Sequence, residues 1–141
     1  MKSFGLKLVL YSVLVGALVG VLELSIGHRF ILDPLLLGKG YNFVYESYFA
    51  PTYYGLTKSI IAAITFFFVY LFAAKQKLNP IITAAATGIL GTAIFGIYYY
   101  FTFPRSTFYS AAIIGIVHFS FIAAISYIFA RLLQSKGEVK R

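Results

Sequence analysis

The sequence has no cysteine and no tryptophan, and only one methionine. Without thiols there can be no disulfides, thiolate metal sites, cysteine nucleophiles or iron–sulfur clusters. Charge is also scarce. Asp, Glu, Lys and Arg supply 11% of the 141 residues, against about 25% in an ordinary soluble domain. Only four residues are acidic, whereas 60% are hydrophobic. A soluble fold of this length cannot hide so much apolar surface, so the expected solvent is lipid.

Twelve Lys and Arg give a net charge of +8. In a soluble protein that excess would suggest nucleic acid. Here the basic residues flank long apolar runs, where topology and anionic headgroups account for them, so nucleic acid is not an expected partner. The aromatics are all Phe and Tyr. Tyr53, Tyr54, Tyr98 to Tyr100 and Tyr109 fall near expected helix ends, the pattern of an aromatic belt at the membrane interface.

About 20 apolar residues cross a bilayer core as a helix. Four such runs are present, at about 6–26, 53–74, 80–103 and 108–133. They predict an all-α membrane protein of four transmembrane helices forming a single domain over 1–141. Gly27 reads as a C-terminal cap of the first run. Asn79-Pro80 reads as an N-cap followed by proline at the first helical position. The first run is long for the core of a signal peptide, and no A-x-A-like site follows it, so it is expected to be a retained span.

Lys2, Lys7, Lys75, Lys77, Arg131, Lys136, Lys140 and Arg141 gather at one end of the bundle, and Arg29, Lys39, Lys58 and Arg105 at the other. The positive-inside rule then places both termini in the cytoplasm, with a tail over 134–141, in the cell membrane. The loop at 28–52 is the one long connection. It is apolar and tyrosine-rich, and Asp33-Pro34 could open a short interfacial helix within it. Tyr41, Phe43, Tyr45, Tyr48 and Phe49 form its expected partner surface.

Gly16, Gly20, Glu23 and Gly27 share one face of the first helix. Small residues there would let another helix approach closely and would turn Glu23 toward protein. Glu23 is either an ion or proton site, or a structural carboxylate paired with Lys58. Lys58 itself lies near a helix end, where its stem could snorkel to water. His118 lies mid-helix on a small face with Gly115. Placing Glu23 one turn from the outer end puts His118 about 15 Å deeper, so the two should not meet. Gly88, Gly91 and Gly96 mark a further packing surface on the third helix. His28, Asp33 and Glu46 match no metal-ligand spacing. No nucleophile elbow, P-loop or H-E-x-x-H appears, so neither an enzyme nor a metal site is expected.

Val9-Leu10-Tyr11-Ser12-Val13, at the head of the first span, resembles the start of the first span of Insig proteins. Phe49-Ala50-Pro51-Thr52-Tyr53-Tyr54-Gly55 resembles the aromatic-Pro-Gly approach to their second span. That resemblance implies a membrane protein that binds sterol or lipid and holds a partner membrane protein. It covers four of that family's six helices, and no residue pattern here carries sterol binding.

Three function classes follow. The first is a non-catalytic membrane subunit or scaffold packing against lipid and a larger membrane-protein complex, with an Insig-like lipid-sensing partner protein as a variant. The second is a small homodimeric proton-coupled transporter or channel using Glu23, with His118 further along the path. The third is an enzyme, for which adequate residues are lacking. No cofactor is expected beyond bound lipid.

Overall fold

The computed structural model describes residues 2–36, 49–102 and 108–135. Apart from the turn at 76–79, these residues are all helical. The first helical run comprises α1 (Lys2–Leu22), a π-helical segment (Glu23–Leu32) and α2 (Asp33–Leu36), without a break. It is followed by α3 (Phe49–Lys75), α4 (Pro80–Thr102) and α5 (Phe108–Ser135). Four stretches are long and apolar enough to cross a membrane: Phe4–Leu32, Gly55–Lys75, Pro80–Thr102 and Ala111–Ser135.

Local chemistry sets the turn between α3 and α4. Lys77 adopts the left-handed conformation at φ 52°. Its N–H donates to the Ala74 carbonyl, and the Leu78 N–H donates to the Ala73 carbonyl at 2.9 Å. This pair of bonds is a Schellman cap, which satisfies carbonyls that the helix end leaves open. Asn79 then caps α4, its Oδ1 accepting the Ile81 N–H at 2.7 Å, and Pro80 opens the helix as expected. Gln134 of α5 donates to the Leu78 carbonyl at 2.8 Å and ties the turn to the bundle. A non-glycine residue in this conformation is strained, so Lys77→Gly is expected to raise stability by up to about 1 kcal/mol. Unfolding in mixed detergent micelles would measure the change.

The helices pack in a square. α1 lies along α3, α3 meets α4, α4 lies along α5, and α5 returns to α1. Close approach is built on glycine. A Cβ at Gly20 would overlap Ser59 Oγ and lie 2.7 Å from the Gly55 carbonyl oxygen. One at Gly16 would lie 2.8 Å from Ala63 Cβ. Gly88 and Gly91 seat Phe119 and Ile122 of α5 in the same way, at 2.8 Å. A Cβ at Gly115 would make ordinary contact with Thr92, and one at Gly96 would meet nothing within 4 Å. Gly96 is therefore not a packing residue, contrary to its sequence reading. It lies five residues after Gly91, and five residues turn a helix through about 140°, to another face.

The bundle is inside out relative to a soluble one. Leu6, Val21, Phe68, Ile97, Phe101 and Ile116 point outward. Ser12, Glu23, Lys58, Thr65, Thr83, Thr87, His118 and Ser126 are buried. Two apolar clusters divide the interior. The larger contains Val15, Val19, Ala62, Phe66, Ile122 and Ile125. The smaller contains Leu32, Phe95, Tyr99, Ile114 and Val117.

Several sequence expectations change. The first helix does not end at Gly27. Gly27 has no left-handed backbone, and a Cβ there would meet Glu23, Phe121 and Val117 at 3.1–3.3 Å, so packing carries the helix through the supposed cap. The helical run also passes into α2 at Asp33 without a break. α3 begins at Phe49, which is therefore the first residue of a helix and not a loop residue. Tyr99 is buried, and so is the hydroxyl of Tyr98, so the tyrosine belt is incomplete there. Tyr41, Phe43, Tyr45 and Tyr48 lie outside the described residues, as do Arg105 and the tail from 136 onward.

Candidate functional site: a buried Glu–Lys–His triad

All four spans contribute to one point, at the boundary between the two apolar clusters. Glu23 stands where α1 becomes π-helical. Lys58 comes from α3, Phe95 from α4 and His118 from α5. Glu23 and His118 are 0% exposed and Lys58 is 1% exposed.

The carboxylate is shared. Lys58 Nζ donates to Glu23 Oε1 in a tight ion pair. His118 Nδ1 lies 2.6 Å from Glu23 Oε2. An ionised carboxylate only accepts hydrogen bonds, so Nδ1 carries the hydrogen in this arrangement. Phe95 forms the floor. Its ring centroid lies 5.0 Å from Lys58 Nζ and 4.6 Å from the centre of the His118 ring. A cation within about 6 Å of a ring face is attracted by its quadrupole.

This geometry overturns two sequence readings. Lys58 does not snorkel to a surface, because it is buried and paired. Glu23 and His118 are not separated by depth, because they touch. The separation was measured from a helix end at Gly27, whereas the helical run continues to Leu36. Glu23 therefore lies well inside the first span. The π-helical turn adds a residue per turn and widens the backbone, a feature frequent at functional sites.

Phe95 was not singled out in the sequence, although a signal existed. It follows Gly88 and Gly91 at i+7 and i+4, on the same helical face.

The interior also holds polar atoms with no hydrogen-bond partner among the described residues. They are His118 Nε2, Thr65 Oγ1, Thr92 Oγ1, Ser126 Oγ and Tyr98 Oη. The three hydroxyls of Thr65, Thr92 and Ser126 differ from Ser12, Ser59, Thr83, Thr87 and Ser120. Each of the latter donates to the carbonyl one turn back in its own helix, the usual way a helical hydroxyl satisfies itself. Among the described residues no group of three His, Cys, Asp or Glu is placed to hold a metal ion. In the triad a single carboxylate holds two nitrogen groups, one on each oxygen.

Comparison with protein-family models, curated proteins and solved structures finds no match to this chain.

Proposed function

We propose that this chain is a small four-span membrane carrier, with both termini cytoplasmic, that couples transport to a proton at the Glu23–Lys58–His118 triad. The observation that carries this reading is the convergence of three ionisable side chains inside a bundle whose outer face is apolar. Burying charge is expensive, and a well-packed apolar replacement is often as stable or more so. Ionisable groups at membrane depth therefore mark ion or proton pathways by default. Each partner comes from a different span, so a shift of one helix against the others breaks or remakes a charge pair. That is the kind of two-state element a carrier needs.

The test is proton flux into proteoliposomes carrying an internal pH dye. The variant of choice is Glu23→Gln with Lys58→Met, which removes the charges together and leaves no buried ion unpaired. Its flux is expected to fall to that of protein-free vesicles while its melting temperature stays near wild type. Proton movement at the wild-type rate from the folded double variant would remove the triad from the mechanism.

The second reading is the non-catalytic subunit or scaffold, with bound lipid and a larger membrane complex or a second copy as partner. The sealing of the triad favours it, because no member is exposed at more than 1% and the site could serve as a fixed lock between helices. The Insig-like version is the same reading with lipid as the sensed ligand. Gentle extraction from native membrane separates the two. Stoichiometric co-purification of larger subunits is the expected outcome for a scaffold, and a clean monomer or homodimer counts against it.

A further inference from the structure

The Lys58 ammonium occupies a place built like a receptor for an organic cation. Glu23 Oε1 accepts its hydrogen bond. The Phe95 ring lies 5.0 Å away. His118 holds the second carboxylate oxygen at 2.6 Å, and its ring lies tilted against the same Phe95 ring at 4.6 Å. A carboxylate beside an aromatic face is the chemistry that recognises ammonium and guanidinium groups. A hard metal cation asks for several oxygen ligands, and here one carboxylate has both oxygens engaged.

We propose that this place is an exchangeable cation site, filled by Lys58 at rest, whose external occupant is a small organic cation of the ammonium or guanidinium type. The proposal rests on the carrier reading above and names its substrate class.

The exchange balances in charge and atoms. An incoming cation pairs with the Glu23 carboxylate, and the hydrogen bond from Lys58 Nζ to Oε1 breaks. The displaced ammonium gives its proton to water and leaves as a neutral amine, a change lysine makes readily when buried. One cation enters for each proton released, and the site keeps its charge. That constancy is the physical reason for one-for-one exchange. In the low-dielectric interior of the bundle, both a bare carboxylate and a second unmatched cation are strongly disfavoured. The titratable groups at this level are Glu23 of the π-helical segment, Lys58 of α3, Tyr98 and Tyr99 of α4 and His118 of α5. Only Glu23 among them carries negative charge at neutral pH.

Guanidinium chloride at low millimolar concentration is the probe. It stays charged at neutral pH, so it does not cross the bilayer as a neutral base. In proteoliposomes with an internal pH dye, an inward guanidinium gradient is expected to drive protons outward. The response should saturate, should not depend on membrane potential, and should disappear in the Glu23→Gln, Lys58→Met double variant. Phe95→Leu should raise the half-saturating concentration about tenfold through loss of the ring face. Guanidinium should also raise the melting temperature of the wild-type protein in detergent, a readout that needs no variant to fold. A response no larger than in protein-free vesicles overturns the proposal, and so does an equal response to sodium chloride. If triad-dependent proton flux survives without any guanidinium response, the cation site falls and the carrier reading stands. If no triad-dependent flux exists under any gradient, both fall.

Discussion

Lys58→Met alone is expected to destabilise the protein by about 3–5 kcal/mol, while Lys58→Met together with Glu23→Gln recovers most of that loss. The single change leaves the Glu23 carboxylate buried, with only the His118 Nδ1–H as partner. An uncompensated buried charge costs about this much, whereas removing both charges together is often neutral. Gln is the right replacement because its amide oxygen can still accept from His118. Glu23→Leu would orphan that donor, at a further cost of about 1–3 kcal/mol. The pair is sealed from solvent, so salt should screen it little, and the cycle should read alike at low and high ionic strength. Unfolding in mixed detergent micelles supplies the four free energies. A single variant that loses less than about 1 kcal/mol, or a double variant no better than the single one, would show that the two charges are not coupled as their contact implies.

The two halves of the candidate site differed in how readable they were. The four apolar runs and the Asn79-Pro80 start were legible because they depend on residue types within a few positions of one another. The end of the first helix was not. Gly27 has the composition of a cap, but a cap also needs a left-handed backbone, and contacts with Val117 and Phe121 hold that residue in the helix. That single difference moved Glu23 away from the supposed helix end and into reach of His118. The face of Gly16, Gly20 and Glu23 was readable from spacing, and so was the possibility of a Glu23–Lys58 pair. Contact with α5 was not readable, because it depends on how helices far apart in sequence cross. Gly91 and Gly96 are the same residue type, yet one receives Ile122 and the other faces outward. Their five-residue spacing, which turns the helix to another face, was the legible sign of that difference.

Gly20→Val, at a position that carries no charge, should cost roughly 3 kcal/mol, whereas Gly96→Ala should be neutral or stabilising by up to about 1 kcal/mol. At Gly20 the added Cβ meets Ser59 Oγ and the Gly55 carbonyl oxygen, the latter at 2.7 Å. The hydroxyl can rotate away by giving up its 2.8 Å bond to that same carbonyl. The carbonyl cannot, because it belongs to the α3 backbone. α1 must then move away from α3, and overpacking of this kind usually costs about 1–3 kcal/mol. The upper end is expected because Glu23 lies one turn further along the same helical run and Lys58 about one turn along α3 from Gly55, so parting the helices also stretches the ion pair. Gly96 offers the opposite case, with open space around it and a helix that favours alanine over glycine. The ion-pair share of the Gly20→Val cost can be isolated. In the Glu23→Gln, Lys58→Met background there is no pair to stretch, so Gly20→Val should cost measurably less than in wild type, the non-additivity expected of coupled neighbours. Equal costs in the two backgrounds would mean that the glycine contact and the triad are independent. A Gly20→Val protein as stable as wild type would mean that α1 and α3 are not held at the distance seen here.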